Sequence, residues 1–262
     1  MGKKHPETPA RIQSIEDQLI VEDVWDLLSR HVATGATKAQ MARVHSTIFI
    51  ESICKQSQQA GPIYLDSDTA KNSHSVEAAL HAAGATVKAV DLVMTGQAKN
   101  AFCNIRPPDH HAERNNAAGF CIFNNVAVAA EHAHEVYRLQ RVSITDFDVH
   151  HGNSTDEILN HEERVLLCST FRHPYYSYQG ITSTNEHITN IPLAADSTEK
   201  KFRPALTEHW LPALEKYQPQ FLLISTGFDA HREDIMGGMT LEYADYAWVT
   251  TKLLDIATLF FW

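Results

Sequence analysis

Three short clusters in this sequence concentrate the residue types that grip metals and move protons. They are Arg106-Pro-Pro-Asp-His-His111, Asp146-Phe-Asp-Val-His-His151 and Gly227-Phe-Asp-Ala-His231. In an extended segment alternate residues point the same way, so Asp146, Asp148 and His150 share one face, and Asp148 and His150 can grip one cation. Carboxylate oxygen and imidazole nitrogen are both good zinc donors. Asp229, at the end of another apolar run, is the natural third ligand. A set of two aspartates and one histidine leaves zinc an open position for water or a carbonyl oxygen, as a catalytic site requires. An isolated Asp-x-His is usually a cap or a satisfied surface pair, but the longer Asp-x-Asp-x-His-His with a matching Gly-Phe-Asp-Ala-His is hard to dismiss that way.

His110 and His111 add acid–base capacity. One imidazole can act as general base toward a metal-activated water while the other stays charged and stabilises developing negative charge. Each needs a partner on its far nitrogen. Asp146 and Asn153 suit that task, and because a carboxylate raises an imidazole's pKa where an amide does not, the two histidines can differ in protonation. Gly119-Phe-Cys-Ile-Phe-Asn-Asn125 reads as a glycine turn entering a helix. Gly119 allows close backbone approach, and Phe120 either lines a narrow apolar passage or is a core aromatic.

These clusters need a frame. Apolar runs of strand length lie at 101–105, 141–146, 165–169 and 221–226. Between them are helix patterns at 74–94, 122–138, 199–217 and 241–257. Thr8-Pro9 reads as an N-cap and first-turn proline opening a further helix, and Thr37-Lys-Ala-Gln40 as a capping box. Strands apolar on both faces, alternating with helices, imply a mainly parallel sheet covered on both sides, that is, a three-layer α/β/α fold. Ligand sites in such sheets lie beyond the carboxyl ends of the strands. All three clusters follow predicted strands, which places them on one rim.

Composition sets the outer bounds. The chain has 262 residues, 44% hydrophobic and 21% charged, ordinary for a globular protein, and no composition break or repeat divides it, so one domain over 1–262 is expected. A net charge of −10 argues against direct nucleic-acid binding. Cys54, Cys103, Cys121 and Cys168 form no Cys-x-x-Cys pair, so neither a disulfide framework nor a thiolate zinc site is expected. Cys103, Cys121 and Cys168 sit in apolar runs and read as buried thiols. No leader-like apolar segment follows Met1-Gly-Lys-Lys-His5, and no run approaches ~18 apolar residues. The expectation is a cytoplasmic protein without a membrane span. The sequence also allows a homo-oligomer.

Taken in order, Arg106-Pro-Pro-Asp-His-His-Ala112, Gly119 to Ala130, Asp146-Phe-Asp-Val-His-His-Gly-Asn153 and Ser225-Thr-Gly-Phe-Asp-Ala-His-Arg232 resemble the histone deacetylase superfamily. The likeness is to its class II-like branch, with bacterial amidohydrolases and acetylpolyamine amidohydrolases. His5-Pro-Glu-Thr-Pro-Ala-Arg11 and Leu65-Asp-Ser-Asp-Thr69 fit as well. The resemblance implies an arginase/deacetylase-like fold and a zinc-dependent hydrolase removing acetyl or other acyl groups from lysine-like amines. It implies zinc on Asp148, His150 and Asp229, His111 as general base and acid, His110 as its electrostatic partner, and Asp146 and Asn153 as their orienting groups. It also implies a structural potassium ion on Asp146, Ser169 and backbone oxygens of Asp148 and His150. Substrate contacts fall to Asp68, Gly119, Phe120 and Met236, the last in place of the acidic gatekeeper of polyamine-selective members.

Departures shape the expectation. Asp109 and Ser154 stand where the family usually has glycine; Asp109 is expected to put a carboxylate near the site mouth and favour a cationic substrate. The Tyr175-Tyr-Ser-Tyr178 stretch replaces a Pro-Gly-containing loop. The family's Gly-Gly-Tyr turn, whose tyrosine donates to the oxyanion, does not appear before Leu259-Phe-Phe-Trp262. The chain is therefore expected to be incomplete at the C-terminus, and at the N-terminus where a first strand is also missing. Three alternatives stand beside the deacylase: a zinc-containing acyl-lysine-binding homologue without turnover, an acetylpolyamine amidohydrolase, and an arginase-type dinuclear manganese hydrolase.

Overall fold

The structure is a computed structural model that describes residues 5–56, 62–181 and 185–260. Met1–Lys4 and the terminal Phe261 and Trp262 of the sequence analysis lie outside the described residues. The chain forms two compact units, residues 1–132 and 133–262.

The first unit is helical. It holds α1 (Ala10–Val21), α2 (Lys38–Met41), α3 (Thr47–Gln56) and α4 (Ser75–Met94), with a two-strand hairpin of β1 (Ile63–Tyr64) and β2 (Ala70–Lys71). The Thr37–Gln40 capping box is present, with both reciprocal bonds, although the helix it opens lasts one turn. Thr8 accepts the N–H of Ala10 through its hydroxyl while Pro9 takes the N-cap position, one residue later than the sequence suggests. Residues 101–105 form no strand. Their apolar run packs instead as an irregular segment, with Cys103 donating to Ala85 O of α4 and Phe102 largely exposed. Cys103 is consequently only half-buried, whereas Cys121 and Cys168 are buried. The next helix, α5 (Asn125–Tyr137), begins three residues later than its periodicity suggests, because Asn124 Oδ1 accepts the N–H of Ala127 as its cap.

The second unit is built on a sheet of β3 (Val142–Asp146), β4 (Val165–Arg172), β5 (Ile188–Leu193) and β6 (Phe221–Ser225), all parallel, in the order β5-β4-β3-β6. Every residue of β3 is buried, including Ser143 and Thr145, as the central strand of a doubly covered sheet requires. β5 escapes sequence reading because Thr189, Asn190 and Pro192 interrupt its apolar pattern; an edge position tolerates a proline that cannot donate. The helices of this unit are α6 (Asn153–Leu159), α7 (Glu199–Ala205), α8 (Leu211–Tyr217) and α9 (Tyr243–Phe260). A π-turn over Leu206–Trp210 joins α7 to α8, flanked by Pro204 and Pro212, where continuous helix is predicted. A proline ring clashes with the preceding turn and removes a donor, and a wider turn absorbs both effects. Trp210, Phe202, Leu214, Leu253 and Val249 close the core against Leu166 and Cys168 of β4.

The strand order determines where a site forms. From β3 the chain moves outward through β4 to β5, then returns to the opposite side of β3 for β6. The connections therefore diverge between β3 and β6, and the crevice beyond their carboxyl ends is the place for a ligand.

Candidate metal centre

Asp148 and His150 follow the end of β3, and Asp229 follows the end of β6; Asp146 and Ser225 are register partners on those strands. The segment after β3 curls through two successive side-chain-to-backbone bonds. Asp146 Oδ1 accepts the N–H of Asp148 at 3.0 Å, and Asp148 Oδ1 accepts that of His150 at 2.8 Å. These bonds turn both Asp148 and His150 toward β6. From there Asp229 Oδ1 accepts the N–H of Val149 at 2.9 Å, tying the two strand tips together.

The ligand atoms of Asp148, His150 and Asp229 all lie within 4.8 Å of one another. His150 Nδ1 stands 3.0 Å from Asp148 Oδ1 and 2.9 Å from Asp229 Oδ2. Burial alone would lower the His150 pKa, but the bonds and charges of the two carboxylates outweigh it and push it up to about 10. Burial, then the Asp148 charge, pushes Asp229 up to about 6 although His150 pulls the other way. Two carboxylates facing one imidazolium leave the cluster one positive charge short. A neutral imidazole with a divalent cation balances it, and this donor set suits zinc. The backbone also makes room: a Cβ on Gly227 would stand 2.0 Å from Asp148 Oδ2. These residues fit a bound zinc.

Two groups that sequence reasoning did not assign shape this centre. Tyr175 stacks on the His150 ring at 5.2 Å between centroids and 20° between planes, with the Arg172 guanidinium 4.1 Å from its ring centroid. Its hydroxyl donates to the carbonyl of Met236, which joins the 236 position to the ligand histidine through one side chain. The only signal in the sequence was the unusual tyrosine run at 175–178. Gly227 sat inside a recognised motif, but its clearance for Asp148 is visible only in three dimensions.

Two of the residues expected to hold potassium are neighbours. Asp146 and Ser169 are register partners on β3 and β4. Ser169 Oγ is buried with no hydrogen-bond partner among the described residues. Asn153, buried, opens α6.

In the first unit, His110 and His111 are both buried, with ring centroids 4.0 Å apart and planes at 48°. They follow an irregular segment rather than a strand, so register does not place them. Side chains brace the backbone on either side of them: Arg106 Nε donates to the buried Glu7 at 3.0 Å, and His45 spans from Glu113 O to Asn124 N. Gly119 and Phe120 form a turn with φ of 55° and 70°, and a Cβ on Gly119 would lie 2.4 Å from His111 Cδ2. The His5 and Phe120 rings pack nearly perpendicular with centroids 4.5 Å apart, and His5 Nε2 lies 3.1 Å from the carbonyl of Asp68. The Asp109 carboxylate accepts the N–H of Val126 at 2.8 Å in the first turn of α5, where the helix dipole favours it.

The histone deacetylase domain matches residues 5–260. The chain belongs to the histone deacetylase family. It is 34% identical to Histone deacetylase 15 of Arabidopsis thaliana, covering 97% of this chain and 48% of that protein. It is 33% identical to the histone deacetylase-like amidohydrolase of Pseudomonas aeruginosa, covering 96% of this chain and 67% of the relative. An uncharacterized protein of Synechocystis is 34% identical over 98% of this chain and 86% of its own length. The crystal structure of the HDA15 HD domain superposes with a TM-score of 0.94 at 33% identity, covering all of this chain and 77% of that one. The histone deacetylase fold is thus the α/β fold of this chain. The chain spans only about half of some of these histone deacetylase relatives.

Proposed function

We propose that this chain is a zinc-dependent deacylase that removes acetyl or other acyl groups from lysine-like amines. The convergence of Asp148, His150 and Asp229 at the β3–β6 crevice is the observation that carries the reading. Zinc held by Asp148, His150 and Asp229 would supply Lewis acidity toward a water and the acyl carbonyl. His111 takes a proton from the attacking water at an imidazole nitrogen and returns one to the leaving amine, so the amide C–N bond breaks to carboxylate and amine. His110 stays charged beside it, and Asp146 and Asn153 orient the two. The close approach of Gly119 to His111 keeps the ring from turning, which holds the transferring nitrogen in place.

Asp68 holds the substrate backbone, and Gly119, Phe120 and Met236 flank the acyl-lysine stem. Met236 brings no charge to that position, which favours an acyl-lysine over a polyamine. A potassium ion on Asp146, Ser169 and the backbone oxygens of Asp148 and His150 is supported by the partnerless Ser169 hydroxyl. Residues 1–262 are read as belonging to one deacetylase-like domain, and homo-oligomers are compatible with it. No described helix is long and apolar enough to cross a membrane. The absence of disulfides among the described residues suits a reducing, cytoplasmic compartment.

The test combines metal analysis with a fluorogenic acetyl-lysine or trifluoroacetyl-lysine substrate. The expected result is about one zinc per chain and turnover that falls ~10²–10⁴-fold in His111→Ala with zinc retained. Zinc-loaded protein whose turnover is nil, or the same with and without His111, overturns the reading.

A further inference from the structure

The turn that carries Gly119 and Phe120 is an unusual piece of backbone. Two consecutive residues have positive φ, and the second is a phenylalanine, for which the left-handed region costs about 1–2 kcal/mol. Such a conformation persists only where its surroundings over-determine it. The surroundings here are the loop between β1 and β2. Asp66 Oδ1 accepts the N–H of Asp68 at 2.8 Å and of Thr69 at 2.6 Å, which folds the loop on itself. Its other oxygen, Oδ2, accepts the N–H of Gly119 at 3.3 Å. The Thr69 hydroxyl donates to Asp68 Oδ1 at 3.2 Å, leaving a lone pair that accepts the N–H of Phe120 at 2.9 Å. One short loop thus holds two successive donors of the turn.

The turn in turn presses on His111. A Cβ at Gly119 would lie 2.4, 2.7 and 2.8 Å from three carbons of that side chain, so backbone and imidazole are already in contact. A displacement of the turn by a fraction of an ångström must move the ring or open a gap beside it.

We propose that Asp66 is a positioning residue: its carboxylate, together with the Thr69 hydroxyl, clamps the Gly119–Phe120 turn and so holds the His111 ring in its working orientation. The proposal rests on the deacylase reading for its kinetic consequence, while its geometric claim stands apart from it. The protonation pattern agrees. Burial alone would raise Asp66, but the bonds from Asp68 and Thr69 outweigh it and hold the carboxyl below the usual range, so it remains an acceptor. Burial, then the bond and charge of Asp66, moves Asp68 the other way. The other titratable groups recorded against this turn are Cys121, whose thiol donates to Gly119 O, His5 and His111.

Asp66→Asn is the direct test. It keeps the shape but turns one acceptor oxygen into a donor, so the side chain can no longer serve both its own loop and Gly119. In the zinc-loaded full chain with labelled histidines, His111 side-chain resonances and their titration midpoint are expected to move. With an acetyl-lysine substrate, kcat is expected to fall ~10–10²-fold while zinc content and KM stay within about twofold. A folded Asp66→Asn protein with unmoved His111 resonances, or one that loses only zinc or only KM, overturns the proposal. If Asp66→Asn does not fold, Thr69→Val removes the acceptor for Phe120 at nearly constant volume, and the same readouts decide. Should wild-type protein show no turnover, the deacylase reading falls, and the His111 resonances alone decide whether Asp66 positions the ring.

Discussion

The candidate metal triad and the histidine pair are positioned by different physical means. Asp148, His150 and Asp229 stand on the tips of hydrogen-bonded parallel strands, so the ladder that holds β3 to β6 also sets their separation. His110 and His111 stand on irregular backbone, in a unit where individual side chains bond across distant segments: Glu7 to Arg106, His45 to Glu113 and Asn124, Asp66 to Gly119. A ladder shares its load over many bonds, whereas a clamp made of one imidazole or one carboxylate fails when that group is changed or protonated. The first arrangement is expected to be robust except where a ligand is lost or a group is forced against one, and the second to be sensitive at a distance.

The largest effect tests the ladder side. Asp229→Ala removes one ligand and the bond to Val149, and is expected to take zinc from about one per chain to none retained through dialysis, with turnover lost. Metal analysis beside circular dichroism checks it; a zinc-retaining variant would show that the triad is not the metal site. Next, Gly227→Ala places a methyl group 2.0 Å from Asp148 Oδ2. Zinc affinity is expected to drop ~10–10²-fold, the range seen when support behind a ligand is lost, measured by chelator competition.

The third prediction tests the clamp side. Burial is the main cause that lowers His45 to about 4, against the opposing bonds to the backbone of Glu113 and Arg114. A histidine depressed in the folded state is neutral there and charges on unfolding. Its contribution is therefore fully present above the unfolded value near 6.5 and is lost as pH falls toward the folded value. Denaturant unfolding between neutral pH and pH 4 is expected to lose about 3 kcal/mol from this residue. His45→Asn should flatten that slope, and an unchanged slope would remove His45 from the account. The smallest effect is Tyr175→Phe, which keeps the stack on His150 but drops the bond to Met236. It is expected to cost about 1 kcal/mol, read as a several-fold rise in KM with zinc content unchanged.

The α/β alternation, three strands read at 141–146, 165–169 and 221–226, and the Asp-x-His and Asp pairs were legible because burial on both faces and strand-end chemistry both write themselves into local residue order, although the second strand runs on to Arg172. So was the family, whose motifs occur in their expected order along the chain. The residues at 101–105 looked like a strand because five apolar residues can be one, yet strands exist only where a partner backbone accepts their bonds, and sequence names no partner. Conversely, β5 was hidden by Pro192 because its edge position, which makes the proline harmless, is a fact of topology. Asp109 shows the same limit: its residue type suggested charge, but only the structure shows that its carboxylate accepts the N–H of Val126 at the start of α5. Sequence alone determined which chemistry this chain could attempt, because ligand and acid–base types are fixed by side-chain composition. Only the tertiary structure decided which carboxylates face one another and which glycines leave room for them, because those depend on through-space approaches between segments roughly 80 residues apart, such as the link from Val149 to Asp229.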